Sequence, residues 1–192
     1  MENAEKRVDI KDVSFTSTDG TSTIHARIWR PLGTFGERPR AIVQIVHGMS
    51  EHVRRYDEFA RYLCGRGYAV CGDDHIGHGA SAAPDKRGCM PARNGNEVLI
   101  DDEHALRALV SAEFPADTPY VFFGHSMGSF ITRCYLGRHG EGLAAAVICG
   151  TGTIPVVVSR AGHATARALA AVRGLMREQE RRALDAGVFG GE

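Results

Sequence analysis

The sequence has no apolar run long enough to cross a bilayer. The longest, Leu143 to Cys149, falls far short of the ~20 residues a membrane helix needs. It has no excess of either charge: Lys+Arg and Asp+Glu both number 23, so nothing in the balance recruits nucleic acid. The first seven residues, Met1 to Arg7, are charged and lack the apolar centre of a secretory signal. The five cysteines (Cys64, Cys71, Cys89, Cys134, Cys149) are odd in number and show no C-x-x-C spacing. They read as reduced thiols of a cytoplasmic protein, without disulfide or metal role. Repeats and low-complexity tracts are absent too. What remains is an ordinary globular composition, 43% hydrophobic and 24% charged over 192 residues, enough to bury one useful core.

The pattern of elements is more specific. Residues 12–17 alternate and run into Asp19-Gly20, a hairpin turn signal, and Ser22 to Arg30 reads as the returning strand. After a Gly- and Pro-rich loop, Ala41 to Val46 is almost continuously apolar, as expected of a strand buried on both faces. Tyr56–Cys64 then carries apolar residues at helical spacing. Tyr68–Cys71 is a strand, Glu97–Phe114 a helix, Tyr120–Phe123 a strand, Met127–Leu136 a helix and Leu143–Cys149 a strand. This alternation predicts an α/β fold: an N-terminal β-hairpin followed by parallel strands wrapped by helices. The character changes near Thr153. Ile154–Val158 is a short apolar piece, and Ala164–Ala186 predicts one long Ala- and Arg-rich helix. Residues 1–153 therefore read as the core domain and 154–192 as a separate helical region.

Two motifs carry chemistry. Gly124-His125-Ser126-Met127-Gly128 fits G-x-S-x-G. Its setting, directly after a β-rich run and before a helix, is that of a nucleophile elbow, in which a sharp turn lifts the Ser126 hydroxyl to the C-terminal edge of the sheet. Gly124 and Gly128 leave room for the crowded turn, and the helix beginning at Met127 aims its amides at developing negative charge. Acyl transfer needs two backbone donors for an oxyanion. Met127 supplies one, and Met49, in the loop after the Ala41–Val46 strand, is the expected second, with Gly48 letting that loop bend. His47, at the strand end beside a Gly, reads as a structural histidine bonded to the loop, and Glu51-His52 as loop-fixing polar groups. Asp73 to Ser81 reads as a structural Gly-rich turn, without ligands at metal-site spacing.

Together these stretches resemble the monoacylglycerol lipase and lysophospholipase branch of the α/β-hydrolases, grouped with the serine-aminopeptidase-like (S33) hydrolases. The branch's H-G-x-x-E-H is matched by His47-Gly48-Met49-Ser50-Glu51-His52, with Tyr56 following. Its D-H-x-G-H-G-x-S is matched by Asp74 to Ser81, and its G-H-S-M-G by 124–128. The similarity covers about residues 10–153. It implies attack by Ser126 on a lipid or small-molecule ester, an acyl-enzyme hydrolysed by water, no cofactor, and a triad completed by an Asp and then a His. Here the sequence departs from the branch. After Ser126 it holds only His139, His163 and Asp185, in neither the order nor the setting required, so no triad acid or base is assigned. The resemblance thus implies a C-terminally shortened chain, its sheet incomplete on that side and 154–192 the start of a cap. Three readings follow: an ester hydrolase, an inactive remnant or binding module that keeps the elbow, and an aminopeptidase-like amide hydrolase, for which no acidic anchor is found. The six arginines within residues 160–182 suggest weak peripheral contact with anionic membranes.

Overall fold

The computed structural model describes residues 8–91, 94–153 and 155–185, the side chains of 159, 163 and 175–185 excepted. One compact unit reaches Thr151 and a second starts at Gly152.

The first unit is built on a six-stranded sheet. β1 (Val8–Thr16) and β2 (Thr23–Pro31) form the hairpin, with Val8 opposite Pro31 and Thr16 opposite Thr23. Asp19 closes its turn: one carboxylate oxygen accepts the amides of Thr21 and Ser22, the other the Ser22 hydroxyl. Such an Asx turn substitutes side-chain for backbone acceptors where the chain reverses. β2 runs antiparallel to β4 (Ala69–Asp74), and the remaining neighbours are parallel: β4 with β3 (Ile42–Val46), β3 with β5 (Tyr120–His125), and β5 with β6 (Ala145–Cys149). The spatial order is β1-β2-β4-β3-β5-β6. The chain therefore leaves β3 toward β4 on one side and returns to its other side as β5. That reversal opens a crevice at the C-terminal ends of β3 and β5, the place where open α/β sheets bind ligands.

Helices cover both faces. α1 (Asp57–Cys64) packs Ala60 and Cys64 on the face that buries Trp29, Val43, Ile45 and Val70. Trp29, the only tryptophan, is fully buried and donates its indole N–H to Asp57. α2 (Gly95–Ser111) and α3 (Met127–His139) supply Leu106, Val110, Ile131 and Tyr135 to the opposite face, against Ile28, Val46 and Phe122. All five residues of β3 are buried, as its apolar run required.

Several boundaries differ from the sequence reading. β4 extends through Asp73 and Asp74, which pair with Ala26 and His25; both are buried because neighbouring loops and α2 supply their partners. β6 begins at Ala145, Leu143 lying in the preceding turn. Among the described residues β6 pairs with β5 alone, and Val147 is half exposed.

The second unit is one helix, α4 (Val156–Asp185). Val156–Val158 belong to its first turn rather than to a separate segment, since a β-branched run costs a helix little when a long Ala-rich stretch propagates it. Ile154 and Ala186 lie outside the described residues. No helix among the described residues is long and apolar enough to cross a membrane.

Candidate functional site

Ser126 sits between β5 and α3 with φ 52° and ψ −118°. A non-glycine residue there costs about 1–3 kcal/mol and persists only where its surroundings hold it. Here they do. Ser126 donates its amide to the Cys149 carbonyl at 3.0 Å, and its own carbonyl accepts the Ser129 amide at 2.9 Å and the Ser129 hydroxyl at 2.6 Å. β6 and the first turn of α3 thus grip the elbow from two sides. The flanking glycines are required by contact. A Cβ on Gly128 would land on the Val46 carbonyl, and one on Gly124 would lie 2.6 Å from the Gly128 carbonyl.

The loop after β3 passes directly over the elbow: a Cβ on Gly48 would stand 3.1 Å from Ser126 Cβ. Glu51 shapes this loop. Its Oε2 accepts the Gly48 amide at 2.9 Å and the Tyr56 hydroxyl at 2.8 Å. Burial pushes this carboxyl up, but the Gly48 and Tyr56 hydrogen bonds outweigh it and leave the group below the usual carboxylate range. Tyr56 O in turn lies 3.2 Å from His125 Nδ1. Glu51 therefore occupies the Gly48 amide, whereas the amides of Met49 and Met127 meet no acceptor among the described residues. Met127 opens α3, where the first-turn amides have no intrahelical partner and the helix dipole favours negative charge.

His47 is fully buried. Its Nδ1 donates to the Gly48 carbonyl at 2.8 Å and its Nε2 accepts the His75 amide at 3.1 Å. Burial and the neighbouring His75 push its pKa down to about 3, so it stays neutral. It fixes the loop and has no free nitrogen with which to act as a base. Asp74 staples the surrounding loops, accepting the Val53 amide on one oxygen and the Ala80 amide on the other, both at 2.7 Å.

An open cavity of about 860 Å³ adjoins the loop and the elbow helix, lined by Met49, Glu51, His52, His78, Leu99 and Met127 among others. Met49 is 68% exposed where it lines this cavity.

Among the described residues no side chain hydrogen-bonds Ser126 Oγ. His139 ends α3, about 20 Å from Ser126 at ~1.5 Å per residue, and its Nε2 is bonded to Asp101 at 3.1 Å. The side chains of His163 and Asp185 lie outside the described residues. One group of ionisable side chains is closed off beneath the loops: Asp73, His75 and Glu103, with atoms within 4.8 Å of one another. Sequence reasoning missed this trio because Glu103 is remote in the chain from Asp73 and His75; the signal that could have found it is its place on the apolar stripe of α2, three residues after Ile100 and three before Leu106.

The sequence pattern of the family described as "Serine aminopeptidase, S33" matches residues 37–183. Among curated relatives, the monoglyceride lipase of Mus musculus is 34% identical over 109 residues, covering 57% of this chain and 33% of its own. The monoacylglycerol lipase of Mycolicibacterium smegmatis is 30% identical over 152 residues, 76% of this chain and 50% of its own. Among solved structures, a thermostable carboxyl esterase from Bacillus coagulans in complex with glycerol superposes with a TM-score of 0.70 at 36% identity, covering 88% of this chain and 51% of that one. The matches thus span a third to a half of the length of these relatives.

Proposed function

The chain belongs to the serine aminopeptidase S33 family of α/β-hydrolases, in its monoacylglycerol-lipase-like branch, and on that premise we propose that it acts on carboxylic esters through Ser126. The observation that carries this reading is the junction of the elbow with the loop after β3, where Gly48 stands against Ser126 and the amides of Met49 and Met127 have no acceptor among the described residues. Ser126 Oγ attacks the ester carbonyl. The two amides hold the oxyanion, the alcohol departs, and water releases the acid from the acyl-enzyme. The apolar cavity beside Met49, Leu99 and Met127 suits an acyl chain, since each buried methylene contributes about 0.8 kcal/mol. Residues 154–192 read as the start of a cap region whose arginines suit weak contact with an anionic lipid surface, and the five free cysteines fit a reducing, cytoplasmic setting.

One observation favours a second reading. With no base bonded to Ser126 Oγ among the described residues, the chain would bind the acyl group but acylate slowly, serving as a binding module. Intact-mass measurement after treatment with a fluorophosphonate, for wild type and Ser126→Ala, tests both. The expected result is a slow, single adduct on wild type and none on the variant. An adduct of equal rate on Ser126→Ala, or none on wild type, overturns the assignment of Ser126. Adduct formation without turnover of p-nitrophenyl esters selects the binding module.

A further inference from the structure

The Asp-Asp-His sequence at the end of β4 is not used by the mechanism above, yet its last residue is tied to the loop after β3 by three contacts. The His75 ring stacks on His47, with centroids 3.7 Å apart and planes 19° from parallel. The His75 amide donates to His47 Nε2. His75 Nε2 lies 3.2 Å from the His47 carbonyl oxygen, which can only accept, so Nε2 carries a proton. On its other edge, His75 Nδ1 lies 3.2 Å from Asp73 Oδ1 and 3.3 Å from Glu103 Oε1. Nδ1 also lies 3.4 Å from Asp73 Oδ2, so both oxygens of the Asp73 carboxylate face it and a bare nitrogen lone pair would be repelled, while a proton on Glu103 turns to Asp73 and not to the ring. Nδ1 therefore carries a proton as well.

We propose that His75 is a buried imidazolium and a positioning residue: held by ionised Asp73 and protonated Glu103, it clamps the His47 carbonyl and thereby fixes the Gly48–Met49 segment over Ser126. Charge balance requires the division between the two acids. The site is closed to water, so two carboxylates beside one cation would leave a net buried charge costing several kcal/mol. Glu103 is the one that keeps its proton. Its Oε2 accepts from Gln44 Nε2, whose Oε1 accepts the Tyr120 hydroxyl at 2.6 Å, whereas Asp73 has only His75 and Glu103 beside it. The other ionisable groups facing His75 do not change the balance. Asp74, also on β4, gives both oxygens to backbone amides. Asp102 on α2 is turned to Ser17 and Thr18, His47 is neutral, and His78 meets the ring only edge-on at 6.0 Å. The pKa directions agree: burial lowers His75 but Asp73 outweighs it and raises the group, burial raises Asp73 but His75 holds it low, and burial together with Asp73 raises Glu103 well above the carboxylate range.

The positioning role rests on Met49 as oxyanion donor, whereas the charge state does not, and the test separates them. Imidazole nitrogen shifts of the full chain at pH 7.5 should show His75 protonated on both nitrogens and His47 on Nδ1 alone. Glu103→Gln, which mimics a protonated glutamate, should keep that signature and the rate of fluorophosphonate labelling. Asp73→Asn should turn His75 into a neutral tautomer and slow the labelling step tenfold or more, with little change in reagent affinity, since loss of one oxyanion donor costs roughly 10²–10³-fold. A neutral His75 in wild type overturns the proposal, as does a loss of the doubly protonated signal in Glu103→Gln. Native mass spectra with excess zinc that show one tightly held ion, lost in both variants, also overturn it by making the trio a cation site. If Asp73→Asn does not fold, the wild-type spectrum and Glu103→Gln still decide the charge state. A doubly protonated His75 whose loss in Asp73→Asn leaves labelling unchanged refutes the positioning role. If wild type is not labelled at Ser126 at all, the assigned nucleophile fails instead.

Discussion

Two glycines on α3 should respond to alanine with opposite sign, and the contrast tests why the elbow needs its sequence. A Cβ at Gly137 meets nothing within 4 Å, and the residue is exposed. Alanine there gains the helix preference of about 0.5–1 kcal/mol. A Cβ at Gly128 falls on the Val46 carbonyl and 2.6 Å from the His47 carbonyl. Neither acceptor can retreat: β3 is held between β4 and β5, and the His47 carbonyl is clamped by His75. α3 must move instead, carrying the Met127 amide with it. Overpacking of this kind costs roughly 1–3 kcal/mol or more. Because the obstacle is backbone, the upper end applies, and the helix preference offsets only a part. We expect Gly128→Ala to lose about 2 kcal/mol or more and Gly137→Ala to gain up to about 1 kcal/mol. At about 2–4 °C per kcal/mol for a chain of this size, Tm falls by ~4–8 °C or more in the first and rises by ~1–4 °C in the second. Trp29, single and fully buried, reports unfolding of the core by fluorescence in urea or on heating. A stable Gly128→Ala with unchanged midpoint would refute the claim that the elbow helix is seated against β3.

Three further outcomes follow from the same contacts. His47 has a folded-state pKa of about 3 against 6.5 in the unfolded chain, so the unfolded state binds the extra proton and stability contributed by this group is lost as pH falls below 6.5. Relative to His47→Asn, wild type should lose about 2 kcal/mol between pH 7 and pH 5 (~1.4 kcal/mol per unit), read from urea midpoints; a pH-independent difference would refute it. Asp102 accepts the Ser17 hydroxyl, the Thr18 amide and the Thr18 hydroxyl at 2.6–2.8 Å, so Asp102→Ala should cost about 2–4 kcal/mol by orphaning donors, and a loss under ~1 kcal/mol in urea unfolding would contradict this. Leu169 and Val172 are exposed on α4 beside arginines, so the chain should co-sediment weakly with anionic vesicles at low salt and be released at high salt; no binding at low salt removes the membrane contact.

What the sequence made legible was whatever depended on local pattern. The apolar run of β3, the alternation of the hairpin and the strand-turn-helix around Ser126 each state their structure within a few residues, although β1 starts at Val8, ahead of the alternation at 12–17. The setting of the elbow needed more than pattern. Glu51 was visible as a loop-fixing group, but its acceptors' work, holding the Gly48 amide while touching Tyr56, depends on a fold that returns the chain within a hydrogen bond of itself. Asp73, Asp74 and Glu103 are the clearest case. Read along the chain, Asp73 and Asp74 belong to a polar turn, and Glu103 is an acid standing on the apolar stripe of α2 between Ile100 and Leu106. Their burial comes from β2 and α2 closing over the end of β4, a long-range event of which the place of Glu103 on that stripe is the one local sign. A buried acid is tolerated only where partners neutralise it, and those partners lie at positions 44, 47, 75 and 120 for Asp73 and Glu103 and at 53 and 80 for Asp74. Local reading finds the turn at Ser126 because the strained turn is itself local. It misses the groups that hold the opposing loop because their energy is decided by which distant residues arrive beside them.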